Sequence, residues 1–168
     1  MKTITYNMNN LTDLDMTDFA TKVKALMINS NNEITLAYSY NCYQFPGGTK
    51  EPGETLTETL KRELKEEVGL DIDTSLMEPI IHAEGYYKDW PVDHRNKKID
   101  IYYYEVKTDL KPDLSNVNRT EDEKKGGFTL KSIKLEEVEE EIKRNMDKYG
   151  DIKGIGKEML NIFNIYKN

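Results

Sequence analysis

An α/β domain is predicted. Apolar runs in the first half are separated by turn residues, a glycine- and proline-rich loop leads straight into a helix with its own stop signal, and two helical segments close the chain. After a polar, acidic N-terminal extension over residues 1–16, KVKALMIN (22–29) and EITLAYSY (33–40) read as two strands joined at Ser30-Asn31-Asn32. YQFPGGTKEPG (43–53) holds two prolines and three glycines and is a loop. Glu54 to Val68 is helical, and Gly69 stops it. Strands follow at Pro79–Tyr87 and, with clear alternation, at KIDIYYYEVK (98–107). Residues 108–127 are polar and aperiodic and read as a long loop of the kind that is often functional. A strand near Phe128–Ile133, an acidic helix over 135–150 and an amphipathic helix over 155–167, with Ile155, Met159, Ile162, Phe163 and Tyr166 on one side, complete the order. No repeat or linker divides the chain, so residues 1–168 are expected to form a single domain.

Bulk properties narrow the function classes. A net charge of −7 opposes a nucleic-acid polymer or an anionic membrane as partner, though a bound metal can reverse the field within one pocket. Cys42 is the only cysteine, which rules out an intramolecular disulfide and a Cys-rich zinc site and suits a reducing, cytoplasmic setting. No segment resembles a signal sequence or a membrane span. Residues 1–20 would serve either a homodimer or the covering of the sheet.

Glu63, Glu66 and Glu67 stand at i, i+3 and i+4, so on a regular helix they share one face. The apolar stripe Leu60, Leu64 and Val68 lies beside that face, which sets the acids at the rim of the core. Like charges at this spacing repel, and a cation is the natural compensation. All-oxygen ligands select Mg²⁺ or Mn²⁺, whereas His82 and His94 are too scattered to suggest zinc. Taken by themselves, the same residues read more readily as a solvated helix with Glu58–Arg62 and Arg62–Glu66 ion pairs. The EEVEEE run at 136–141, more acidic but without a glycine-rich loop before it, is read as solvated.

The surrounding pattern decides between the two. Gly48, five residues, Glu54, seven residues, Arg62-Glu63-Leu64-Lys65-Glu66-Glu67, one residue, Gly69 and Leu70 matches every fixed position of the Nudix box. Nine such positions would arise by chance in a chain of this length about once in ten million. The sequence therefore resembles the Nudix hydrolase family from about residue 20 to 147. The resemblance implies an α/β/α sandwich with a mixed sheet and Mg²⁺- or Mn²⁺-dependent hydrolysis of a pyrophosphate bond in a nucleoside diphosphate linked to another moiety. A modified nucleoside triphosphate, a dinucleoside polyphosphate or a nucleotide sugar would be the small-molecule substrate. It also implies that Glu63, Glu66, Glu67 and the Gly47 carbonyl hold the metal and that Glu54 and Arg62 form a supporting ion pair. A downstream acid in RTEDEKKGGF, Glu123 ahead of Glu121, would act as fourth ligand or general base. The alternative within the same fold is a nucleotide-binding regulatory module without turnover.

Substrate contacts are less constrained. Tyr43 and Phe45 flank the glycine-rich loop, where a base or ribose could stack, unless they are strand and core residues. In some family members specific for dinucleoside polyphosphates a tyrosine lies sixteen to eighteen residues past the box, and Tyr86 and Tyr87 fall at sixteen and seventeen past Leu70. Arg95, with Lys97 and Lys98, is a candidate for outer phosphates. The proline signature of ADP-ribose specificity is not evident, since Pro79 and Pro91 lie nine and twenty-one residues past Leu70.

Overall fold

Strand β2 (Asp18–Ile28) is the axis of the molecule. Its odd residues Val23, Ala25 and Met27 turn to one face of the sheet and its even residues Leu26 and Ile28 to the other, as the two-residue period of a strand requires. It pairs in parallel with β6 (Lys97–Lys107) along its whole length, and β6 pairs antiparallel with β5 (Ile81–Tyr87). Beyond β5 lies β1 (Lys2–Tyr6), parallel to it. On the other side β2 meets β3 (Glu33–Ser39) only at Met27–Thr35 and Ile28–Ile34 before the two diverge. Strand β4 (Cys42–Gln44) returns along the same edge of β3, and β7 (Thr129–Lys134) takes its opposite edge, completing a seven-stranded mixed sheet. The structure is a computed structural model that describes residues 1–115, 117 and 121–168, without the side chains of residues 122 and 123.

Helices cover both faces. Helix α1 (Leu56–Glu63) and the wide turn that continues it bury Leu60, Leu64 and Val68 against Val23, Ala25, Met27, Tyr104 and Val106. Helices α3 (Val138–Tyr149) and α4 (Ile155–Lys167) bury Val138, Ile142, Met159, Ile162 and Phe163 against Leu26, Ile34, Leu36, Ile81 and Tyr103. Each fully buried aliphatic side chain contributes roughly 1.5–3 kcal/mol, so both layers are held by their apolar stripes. Among the described residues no helix is long and apolar enough to cross a membrane.

Three segments differ from the sequence expectation, the first being strand β4, which takes in Tyr43 and Gln44 at the start of the expected loop over 43–53. The N-terminal extension supplies β1, whose pairing with β5 is made by backbone and whose alternation rests on Ile4 and Tyr6 alone, too short a signal to mark a strand. The expected loop over 108–127 contains a short helix, α2 (Glu121–Lys125).

Candidate active site

The divergence of β2 from β3 leaves one edge of β2 open, and the glycine-rich loop fills it. Ala25 N–H donates to Pro46 O at 2.8 Å, Val23 N–H to Gly48 O at 3.0 Å, and Lys50 N–H to Thr21 O at 2.8 Å. The loop is thus held as a surrogate strand, and it delivers the chain to the first turn of α1. There Thr55 and Glu58 form a reciprocal cap, Glu58 N–H to Thr55 Oγ1 at 3.2 Å and Thr55 N–H to Glu58 Oε2 at 2.7 Å.

The helix is regular only to Glu63. Residues Leu64–Val68 form a π-helical turn, closed by Gly69 at φ 76, a left-handed conformation that favours glycine. The regular spacing expected through Val68 therefore does not hold for Glu66 and Glu67, which lie on the wider turn. Turns of this kind recur at functional sites.

Arg62 organises the acids. Its guanidinium donates from Nε to Glu54 Oε1 (2.7 Å), from Nη1 to Glu63 Oε1 (2.7 Å) and Glu66 Oε2 (3.1 Å), and from Nη2 to Glu54 Oε2 (3.1 Å) and Thr49 O (3.0 Å). One bond from Nε and two from each terminal nitrogen occupy all five donors. Arg62 beside it holds the Glu54 carboxyl down to about 2. Glu63 is 8% exposed, and burial raises its pKa although Arg62 opposes the rise. Glu67 accepts from Gly47 N–H at 2.7 Å, and the Gly47 carbonyl accepts from the Lys24 ammonium at 2.5 Å. A Cβ on Gly48 would lie 2.3 Å from Glu63 Oε1, so only glycine leaves room for that carboxylate.

This donor set fits a hard divalent cation. Three carboxylates and a carbonyl supply oxygen alone, Glu63 is a buried acid whose pKa burial raises despite the nearby Arg62 and Lys24 charges, and the Gly47 carbonyl already engages a cationic group. Among the described residues the group whose ligand atoms lie within 4.8 Å of one another is a different one, His82, Glu84 and Asp100, on the α1 face of β5 and β6. It is internally compensated: His82 pairs with Asp100 at 2.8 Å, and the Lys98 ammonium lies 3.4 Å from Glu84.

On the α4 face, beyond Lys24, opens a cleft of about 380 Å³. Lys22 and Lys24 of β2, Gln44 and Phe45 of the β4 end, Tyr87, Trp90 and Tyr103 of the neighbouring strands and connection, and Lys153 and Glu158 from the C-terminal segment line it. Burial and the neighbouring Lys24 charge lower the Lys22 pKa. Lys24 belongs to both places, since it lines the cleft and bonds the Gly47 carbonyl beside the glutamates.

Of the residues singled out in the sequence, the structure brings together Glu54, Arg62, Glu63, Glu66, Glu67 and Gly47, and sets Phe45, 2% exposed, at the cleft wall in edge-to-face contact with Tyr103. It does not bring the others. Tyr43 is buried, its hydroxyl donating to Glu141 of α3 at 2.6 Å. Tyr86 faces the α1 side of the sheet and donates to Asp13, because β5 turns Ile81, Ala83 and Tyr87 to the α4 side. Arg95 is engaged with Asp18, 2.7 Å from Nε. The side chain of Glu123 lies outside the described residues, and Glu121 is 79% exposed and paired with Lys124. Of the two tyrosines noted past the box, Tyr87 is the one that lines the cleft, whereas Lys22, Lys24, Trp90, Tyr103 and Glu158 were not read from the sequence. The one available signal was the lysine alternation in KVKAL, which exposes both lysines on one side of an otherwise apolar strand.

Comparison with known proteins agrees with this architecture. Residues 18–149, well over half of the chain, match the model of the NUDIX domain. The chain belongs to the NUDIX family and is a Nudix hydrolase; that family generally hydrolyses pyrophosphate bonds in nucleoside diphosphate derivatives. Among solved structures it is similar to the MutT protein of Bacillus halodurans, with a TM-score of 0.54 at 18% identity over 72% of each chain. Further matches are the MutT protein of Methanosarcina mazei Go1, TM-score 0.49 at 19% identity over 72% of this chain and 80% of that one, and the E. coli ORF135 protein, 0.49 at 21% over 77% and 83%. At these identities the likeness concerns the fold. No curated protein matches the chain significantly.

Proposed function

We propose that this chain is a divalent-metal-dependent pyrophosphohydrolase of a nucleotide, its phosphates lying against the glutamates and its nucleoside in the aromatic and lysine-lined cleft. The observation that carries the reading is the position of Lys24, which lines the cleft and bonds the carbonyl of Gly47, whose N–H in turn donates to Glu67, so that a short chain of contacts links the cleft to the neighbouring acid cluster. A cleft of about 380 Å³ with aromatic walls and a few charged groups has the size and character of a small-molecule site.

Glu63, Glu66, Glu67 and the Gly47 carbonyl would hold Mg²⁺ or Mn²⁺. Once bound, the cation supplies Lewis-acid stabilisation of the phosphate oxygens and lowers the pKa of an attacking water. The protein does the rest. Lys22 and Lys24 place positive charge where phosphates enter, Tyr87 and Trp90 offer faces for stacking, and Arg62 keeps the loop and helix in register. Glu123 is the further acid we assign as ligand or general base. The single buried cysteine, Cys42, suits a reducing, cytoplasmic setting.

Incubation of purified protein with a nucleotide panel and Mg²⁺ or Mn²⁺, with products identified by mass spectrometry, tests this directly. Turnover that chelation abolishes and that falls at least about 100-fold in Glu66→Gln and Glu67→Gln is expected, since metal stabilisation amounts to several kcal/mol. Release of no product from any substrate, or undiminished activity in both variants, overturns it. Tight nucleotide binding without turnover would instead identify a regulatory module.

A further inference from the structure

The family match ends at residue 149, yet part of the cleft wall lies beyond it. Lys153, Ile155, Glu158 and Met159 all come from the segment that leads into and forms α4. Among these, Glu158 has a distinctive setting. It is half-buried, and the hydroxyl of Tyr103, itself 1% exposed, donates to its Oε1 at 2.6 Å. Burial and the neighbouring carboxylate push the Tyr103 pKa well up, so that hydroxyl remains a donor and fixes the orientation of the carboxylate. Among the described residues no lysine or arginine lies within ion-pair distance of Glu158, although Lys22 and Lys24 line the same cleft. Lys22 acts on Glu158 electrostatically across the cleft, but the hydrogen bond Glu158 accepts among the described residues is the one from Tyr103, so the carboxylate can still receive a donor from a ligand. Ionised carboxylates accept only.

We propose that Glu158 is the specificity-determining residue of the cleft, selecting nucleotides whose base turns an exocyclic amino group toward it over those that present carbonyl oxygens at the same edge. The proposal rests on reading the cleft as the nucleoside site. Guanine offers a ring N–H beside an amino group, and cytosine and adenine each offer an amino group, so each can donate to Glu158. Uracil flanks its single ring N–H with two carbonyl oxygens, which a carboxylate repels. Hypoxanthine differs from guanine by the lost amino group alone. A site built to hydrogen-bond a ligand group discriminates against analogues that lack it, because the buried partner is left unpaired.

The chain carries its own reporter. Trp90 is the only tryptophan and lines this cleft, 5.7 Å from Tyr87. Its emission can be titrated with GMP, IMP, CMP and UMP in chelator, where no hydrolysis occurs, and calorimetry supplies the same constants independently. In the wild-type protein GMP is expected to bind at least about fivefold tighter than IMP, and CMP than UMP, the lower end of what a base hydrogen-bonding pair gives. In Glu158→Gln, which is isosteric but offers both a donor and an acceptor, both ratios should fall to within about twofold while circular dichroism is unchanged. Wild-type ratios near one, ratios that survive Glu158→Gln, or the absence of binding by both methods overturns the proposal. Discrimination without turnover of any nucleotide triphosphate would leave this inference standing and remove the hydrolase reading, so the two fail separately.

Discussion

Arg62 and Glu54 face one another through a two-pronged ion pair, Nε to Oε1 at 2.7 Å and Nη2 to Oε2 at 3.1 Å, which ties the end of the glycine-rich loop to the last turn of α1. The same guanidinium reaches Glu63 and Glu66 with its remaining side-chain contacts. Loop geometry and carboxylate geometry are therefore set by one planar group.

Arg62→Lys should show this dependence. An ammonium cannot reproduce a five-donor fork, and the pair is about one-fifth exposed on each side, so solvent screens part of its strength. The expected loss is ~1–2 kcal/mol in urea denaturation, together with a fall in kcat from misplaced glutamates. Unchanged stability and kinetics would show that the fork is dispensable.

Acid pH should act through the same pair. Glu54 titrates at about 2 in the folded protein against an ordinary value of 4.5, a depressed pKa, so its contribution is fully present above about 4.5 and is lost as pH falls toward 2. The stability gap between wild type and Glu54→Gln, which does not titrate, should be constant from pH 5 to 8 and close on acidification. A gap that persists at pH 2 would contradict the assignment.

Gly48→Ala places a methyl group 2.3 Å from the Glu63 carboxylate. Either the loop or the acid must shift, and a displacement near 1 Å at a catalytic group costs on the order of 100-fold in rate. Metal titration followed by calorimetry should show weakened Mg²⁺ or Mn²⁺ binding in this variant; wild-type affinity and rate would show that the loop adapts without cost.

Lys24→Met keeps the length of the side chain but removes the bond to Gly47 O and one positive charge from the cleft. Substrate affinity should fall about tenfold, as for loss of a charge-assisted contact of ~1.5 kcal/mol, with the change greatest for substrates carrying more phosphates. Equal KM values for mono-, di- and triphosphate substrates in variant and wild type would place the phosphates elsewhere.

The glutamate-bearing helix was legible in the sequence because its constraints are local: a glycine-rich loop, a cap, an ordered set of acids and a glycine stop lie within consecutive residues. Elements with long-range causes were harder to read. Strand β1 has only Ile4 and Tyr6 to suggest a buried side, and its existence depends on β5, far along the chain. Tyr86 and Tyr87 differ by one position, so their spacing from the box could not separate them, whereas the parity of Ile81 and Ala83 on β5 sends Tyr87 to the cleft. The π-helical turn has no compositional signature in LKEEV. The cleft itself joins residues from β2, β4, β6 and α4, and no window of sequence contains that neighbourhood.

The surrogate strand described above also fixes an order of events during synthesis. The loop can be seated only on a β2 that is already straight, and β2 is held along its full length by β6, with Asp18 paired to Lys97 at one end and Ile28 to Lys107 at the other. Partners so far apart must close a long loop before they are rewarded by contact. A nascent chain extruded from the ribosome as far as Val68 already carries all three glutamates of the helix, yet it lacks the platform that would aim them. On the reading proposed above, a metal ion would be held only once residue 107 has emerged, and a product truncated before it would carry the box without its platform.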